Sequence, residues 1–248
     1  MKKILLTLFL SIAVTGQVNA GWYTVYNFKG SINSNPIQLS IQLLQGYSGD
    51  PKTVNVKGVY MYEKIHEPIT LEGTLNEGNH ILLKEADKKG PHAIFDFVLS
   101  EAPTITGSWL QLNTMNKLTL VLEKNGVLND TNSATVINPV EVMQTPSLSD
   151  KYFIGVYSKK AGADRAKMDA LKIIDKKTNT LFQEINFSPV ETATGNVSTV
   201  IYENTQLAKN NIRVLNEIGK MGGYLNINLN SKTKRYVLNP KPVTEGAR

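Results

Sequence analysis

Few side chains in this sequence have a type and spacing that could do chemistry. Glu85 is in phase with Ile81 and Leu83, so it shares their strand face. An apolar surround would raise its pKa toward that of a general acid. Glycoside hydrolysis requires a second carboxylate beside the first, and no spacing supplies one. His66, His80 and His92 are the three imidazoles, and His80 and His92 could hold zinc with Asp87 or Asp96 from neighbouring hairpin ends. All three lie beside turn residues, without the His-x-His or His-x-x-x-His spacing that preorganises ligands. That pattern predicts solvated loop histidines and no metal. Gly107-Ser108-Trp109 lacks the Gly-x-Ser-x-Gly of a strained nucleophile turn. The absence of Cys removes thiol catalysis and Cys-based zinc. No catalytic residue, no metal and no cofactor is expected, and the chain does not read as an enzyme.

What remains is a set of aromatics. Tyr60, Tyr62, Phe95, Phe97 and Trp109, with Glu85 among them, fall on the apolar faces of short alternating segments. Packing explains most of them, but the two hydroxyls need partners, which makes the set a candidate for contacts with a ligand.

The elements that must position these residues are strands. Ile37, Leu39, Ile41 and Leu43 alternate with Gln38, Ser40 and Gln42, the mark of a half-buried strand. Val54, Val56, Gly58, Tyr60 and Tyr62 form the next face. Ile69 and Leu71 follow the Glu67-Pro68 turn, and Asn76-Glu77-Gly78-Asn79 makes another. Ile81 and Leu83, then Phe95, Phe97 and Leu99, then Ile105, Gly107 and Trp109, then Leu118, Leu120 and Leu122 continue the series. With a first strand at Trp22–Phe28, these make about eight strands. Hairpin-length connections between short strands predict an antiparallel up-and-down barrel, because closure leaves no unpaired edge. Gly58, Gly73 and Gly107 within the strand patterns are expected to mark bends or bulges.

The pattern dissolves over 126–150, around Asn129-Asp130-Thr131-Asn132-Ser133, Pro139 and Pro146. This predicts a linker, with a short strand possible at Thr135–Ile137 and Val140–Val142. Beyond it, Tyr152–Tyr157 and the hairpin Leu171–Ile185 around Lys176-Lys177-Thr178-Asn179 point to strands. Asn211–Leu215, Tyr224–Leu229 and Arg235–Leu238 do so too, while Val200–Leu215 could be partly helical. The predicted order is a signal peptide over 1–20, a β-barrel over 21–125, a linker over 126–150 and a second, smaller β-rich domain over 151–248.

The start, Met1-Lys2-Lys3, then Ile4–Val14, then Val18-Asn19-Ala20, has the cationic, apolar and small-residue parts of a secretory leader. Its apolar run is shorter than the roughly 17–25 residues of a membrane span. The mature chain is expected in the periplasm or secreted, with no integral membrane segment. Net charge is +6, two fewer once Lys2 and Lys3 leave with the leader. A mildly basic chain suits an acidic partner surface. The basic hairpin tips Lys172/Lys176/Lys177 and Lys232/Lys234/Arg235 are too short to form a nucleic-acid patch.

The motifs Gly58/Tyr60/Tyr62, Ile69/Leu71/Gly73, Leu83/Glu85 and Gly107/Trp109 resemble, in order, those of a β-barrel module of uncharacterised secreted bacterial proteins, over about residues 27–123. The second half resembles periplasmic lysozyme-inhibitor-like domains, in the hairpin that ends Gln183-Glu184-Ile185 and in the glycine turn before Tyr224-Leu225-Asn226. Where that family carries an acidic calcium-type loop, this chain has Glu217-Ile-Gly-Lys-Met-Gly-Gly223, which lacks the oxygen ligands a hard cation needs. These likenesses imply a binding protein that acts on a protein or envelope component, an inhibitor or immunity-like role against a cell-wall hydrolase being one form. The alternative is a lipocalin-like carrier holding a small apolar ligand between Tyr60, Tyr62, Phe95, Phe97 and Trp109.

Overall fold

A computed structural model of the chain describes residues 23–44, 53–86, 90–130, 135–163, 165–190, 200–202, 204–208, 211–218 and 221–244. The expected leader, Trp22 and the turn residues 87–89 lie outside them.

Eight strands run β1 (Tyr23–Ile32), β2 (Asn35–Leu44), β3 (Val54–Tyr62), β4 (Ile69–Asn76), β5 (His80–Glu85), β6 (Ala93–Val98), β7 (Thr104–Gln111) and β8 (Asn116–Asn129). Each pairs antiparallel with the next, and β1 pairs with β8 from Thr24 opposite Asn129 to Ile32 opposite Leu120. The result is a closed up-and-down barrel. Its interior is the even face of β3 and the odd faces of β2 and β5: Ile37, Leu39, Ile41, Val56, Tyr60, Leu71, Ile81, Leu83, Phe95, Phe97, Ile105, Leu120 and Leu122 are all buried in one cluster. Turn chemistry agrees with the sequence at Gly78 and Asn79, which take φ of 78° and 59° between β4 and β5.

The strand glycines differ from expectation. Pairing runs unbroken past Gly58 and Gly73, and the register shift within the barrel lies between Asn27 and Phe28, opposite the Lys124–Gly126 stretch of β8. Gly73 and Gly107 mark close approach of neighbouring backbones. A Cβ at Gly73 would stand 1.8 Å from the Leu82 carbonyl oxygen, and one at Gly107 2.5 Å from that of Asp96.

The stretch expected as a linker is largely strand. Residues 126–129 complete β8, and β9 (Ile137–Ser147) follows. Pro139 and Pro146 read as breakers, but β9 is the edge of its sheet, where a missing N–H is tolerated. Beside it lie β10 (Lys151–Lys159), β11 (Lys167–Asp175) and β12 (Thr180–Asn186), in the order β12-β11-β10-β9. A second sheet takes β13 (Thr205–Ala208), β14 (Asn211–Ile218), β15 (Met221–Asn230) and β16 (Arg235–Thr244) in sequence order. The helical option over Val200–Leu215 is overturned by β13 and β14. Ile212 and Val214 alternate inward there, and β-branched side chains favour the pleated surface.

The two sheets share one core, with Val142, Phe153, Tyr157, Met168, Leu171 and Ile173 on one side and Ile212, Val214, Leu225 and Ile227 on the other. The same core includes Tyr23, Val25, Val59, Met61 and Leu128 from the barrel's outer wall. The second β unit therefore packs directly against the barrel. At the sheet edges the Gln183 amide replaces ladder pairing: its Nε2 donates 2.7 Å to the Tyr236 carbonyl, and its Oε1 accepts from the Tyr236 N–H at 2.9 Å.

Candidate functional site

The aromatic set gathers toward one end of the barrel. Tyr60 is buried, and its ring lies edge-on to Phe95 at 4.8 Å and to Tyr62 at 5.6 Å. Its hydroxyl donates 2.5 Å to Glu85 Oε1. Burial, and then this bond to a carboxylate, push the Tyr60 hydroxyl far above its ordinary range, so it remains a donor. Burial raises Tyr62 as well. Phe95 faces Trp109 across the β6–β7 pair, and Leu83 faces Phe95 across β5–β6. Trp109 is 8% exposed, and its Nε1 has no hydrogen-bond partner. Phe97 lies deeper, beside Gly107.

The other polar candidates are dispersed. His80 Nε2 meets Asp96 Oδ1 at 2.6 Å on the half-exposed outer wall. His66 Nδ1 donates 2.7 Å to the Lys176 carbonyl and stacks on Tyr152, while His92 is exposed. No group of three metal-ligating side chains occurs among the described residues. The basic tip at Lys172–Lys177 is partly neutralised: Lys172 pairs with Glu141 at 2.6 Å, and Lys176 pairs with Glu67.

Sequence reasoning missed the seam between the barrel and the second unit. Gln42 is fully buried there, its Oε1 accepting from the Val200 and Ile201 N–H groups at 2.8 and 3.2 Å. The Tyr202 hydroxyl donates to the Leu71 carbonyl, with Lys57 Nζ 4.5 Å from the centre of its ring. Asp130, at the end of β8, takes Lys159 Nζ at 2.8 Å and the Ala166 N–H at 2.9 Å. A signal was present: Val59-Tyr60-Met61-Tyr62 is apolar on both faces, as a strand covered on both sides must be. Along the same seam runs a cleft of about 550 Å³, walled by β1, β2 and β8 on one side and by β9, β10 and Asn179 on the other.

No family model matches the chain, and none of the curated proteins matches it either. No helix among the described residues is long and apolar enough to cross a membrane.

Proposed function

We propose that this is an exported, non-enzymatic binding protein acting on a protein of the cell envelope, and that one end of its barrel makes the contact. The observation that carries this reading is a pair of apolar loop tips. Ile65, between β3 and β4, is 64% exposed, and Met115, between β7 and β8, is 68% exposed. Both connections leave the same end of an up-and-down barrel. Exposed lysines, Lys64 and Lys117, stand beside them, so the tips suit a partner with an acidic surface around an apolar recess. An inhibitor or immunity-like role, with a tip entering a hydrolase cleft, is the concrete form. The barrel supplies rigidity, its interior being occupied by its own side chains.

Photo-cross-linking from position 65 or 115 in envelope extract tests the reading. A defined product is expected that disappears in the variants Ile65→Asp and Met115→Asp. Products no different from those obtained at Lys232, on a remote turn, would refute it.

The carrier reading has one observation in its favour, the buried Trp109 Nε1 donor without a partner. A small ligand carrying an acceptor would satisfy it from the barrel mouth. Native mass spectrometry of protein recovered after export tests this. A bound small molecule that is lost in Trp109→Phe supports carriage, and an empty protein refutes it.

A further inference from the structure

We propose that the lateral cleft is a saccharide site, taking a short sugar chain that carries a carboxylate. The idea relies on the expectation that the chain meets the envelope and is independent of the loop tips. At about 550 Å³ the cleft has the size of small-molecule sites, roughly 300–1,000 Å³.

Its walls limit recognition through the main chain. β1, β2 and β8 belong to a closed barrel with no free edge, and the facing edge strand β9 carries Pro139, which has no N–H to donate. With the Glu141 carbonyl also taken by Asn27, this stretch of β9 offers a peptide strand few main-chain partners, and side-chain heads are the main groups left to read a ligand.

Three such heads line the cleft without a side-chain partner among the described residues: Lys29, Gln38 and Asn125. Lys29 stands directly opposite Gln38 in the β1–β2 register and opposite Glu123, without an ion pair to it, in the β1–β8 register. Asn125 is the additional residue where pairing slips from Asn27–Gly126 to Phe28–Lys124, and a bulge of this kind re-aims a side chain. Each amide offers donors and an acceptor together, the combination that neighbouring sugar hydroxyls match. Lys29 supplies one cation for one carboxylate.

The other polar groups of the lining are already held. Asn27 accepts from the Ser40 hydroxyl at 2.7 Å and donates to the Glu141 carbonyl at 2.6 Å, and Lys172 neutralises the Glu141 carboxylate. The Tyr152 hydroxyl donates to Asn179 at 2.7 Å. These fixed groups hold the walls, leaving the three free heads to select. An apolar ligand would strip them of water without replacing their hydrogen bonds.

Amide chemical shifts of the ¹⁵N-labelled protein test the site with three probes: an N-acetylglucosamine–N-acetylmuramic acid disaccharide, a glucuronate–N-acetylglucosamine disaccharide, and neutral chitobiose. One of the acidic disaccharides is expected to bind with Kd of about 1 mM or below, with shifts confined to amides around 29, 38, 125 and 140. Which one binds separates a lactyl from a uronate source. Chitobiose should bind about threefold more weakly, the scale of an exposed ion pair. Lys29→Ala should remove that preference, and Gln38→Ala or Asn125→Ala should weaken both sugars; all three side chains are at the surface, so folding is preserved. The proposal is overturned if no probe moves these amides at about 10 mM, if lactate alone moves them equally, or if Lys29→Ala leaves the preference intact. Cross-linking from the loop tips should be unchanged in these variants, so failure here leaves the partner reading separately testable.

Discussion

Lys159 Nζ donates 2.8 Å to Asp130 Oδ1, and the two side chains are 0% and 1% exposed. The pair joins the end of the barrel's last strand to the end of β10, so the covalent connection between the two units is doubled by a buried charge clasp. Two opposite charges in a desolvated seam roughly offset their own dehydration, but either one alone does not. Asp130→Asn should therefore cost about 3–5 kcal/mol, read as a lowered urea midpoint at unchanged slope. Lys159→Met with Asp130→Leu should recover much of the loss. Recovery should stay incomplete, because the Ala166 N–H would lose the Asp130 Oδ2 acceptor. Additive losses in the double variant would show that the two residues do not act as a pair.

Gln42 ties β2 to the 200–201 segment through two backbone N–H groups on one oxygen. Gln42→Leu is the right size but leaves both donors buried and unpaired, which should cost about 2 kcal/mol or more. Hydrogen exchange at Val200 and Ile201 should speed up ahead of the barrel amides. Equal acceleration throughout would mean that the bond contributes to global stability only.

The barrel was legible in the sequence because its interior is set by a two-residue period. Ile37, Leu39 and Ile41 point inward as their spacing requires, and the Gly78-Asn79 and Lys176–Asn179 turns fall where the sequence puts them. The seam was not legible, for a physical reason. Gln42 and Ser40 occupy the polar phase of an alternating strand, and such a phase reads as solvent-facing whether water or a distant loop covers it. Gln42 meets its partners 158 residues away, and no local pattern encodes that distance. Asp130 likewise reads as a turn residue until Lys159 is brought to it. At the barrel end, the face of Tyr60 was legible, but its hydrogen bond to Glu85 needed β3 and β5 in register on either side of β4.

The glycines separate two kinds of tolerance. Gly73→Ala would place a methyl 1.8 Å from the Leu82 carbonyl oxygen, where only backbone movement can relieve the clash. It should cost about 3 kcal/mol, the upper part of the overpacking range. Gly126→Ala meets nothing nearer than the Asn27 amide nitrogen at 3.3 Å, a contact relieved by a few tenths of an ångström without breaking the Asn27 bond to Glu141. Its thermal midpoint should stay close to the parent's. A comparable loss in both would show that the close approach at Gly73 is not what its lack of a side chain serves.

Acid should loosen the β10–β11 end. Asp175 takes Lys151 Nζ at 3.0 Å and the N–H groups of Lys177 and Thr178 at 3.0 and 3.1 Å. The lysine bond, and then the two N–H groups, lower its pKa from 3.8 to about 2. A carboxylate depressed in the folded state releases its proton more readily there than in the unfolded chain. Its stabilisation is therefore complete above about pH 4, declines as pH falls toward 2, and is gone below that. In Asp175→Asn this part of the acid dependence disappears. Urea midpoints measured between pH 5 and 2 should then fall less steeply than in the parent, with the variant weaker at pH 5 and the curves converging near pH 2. Parallel curves across the range would place the acid sensitivity elsewhere.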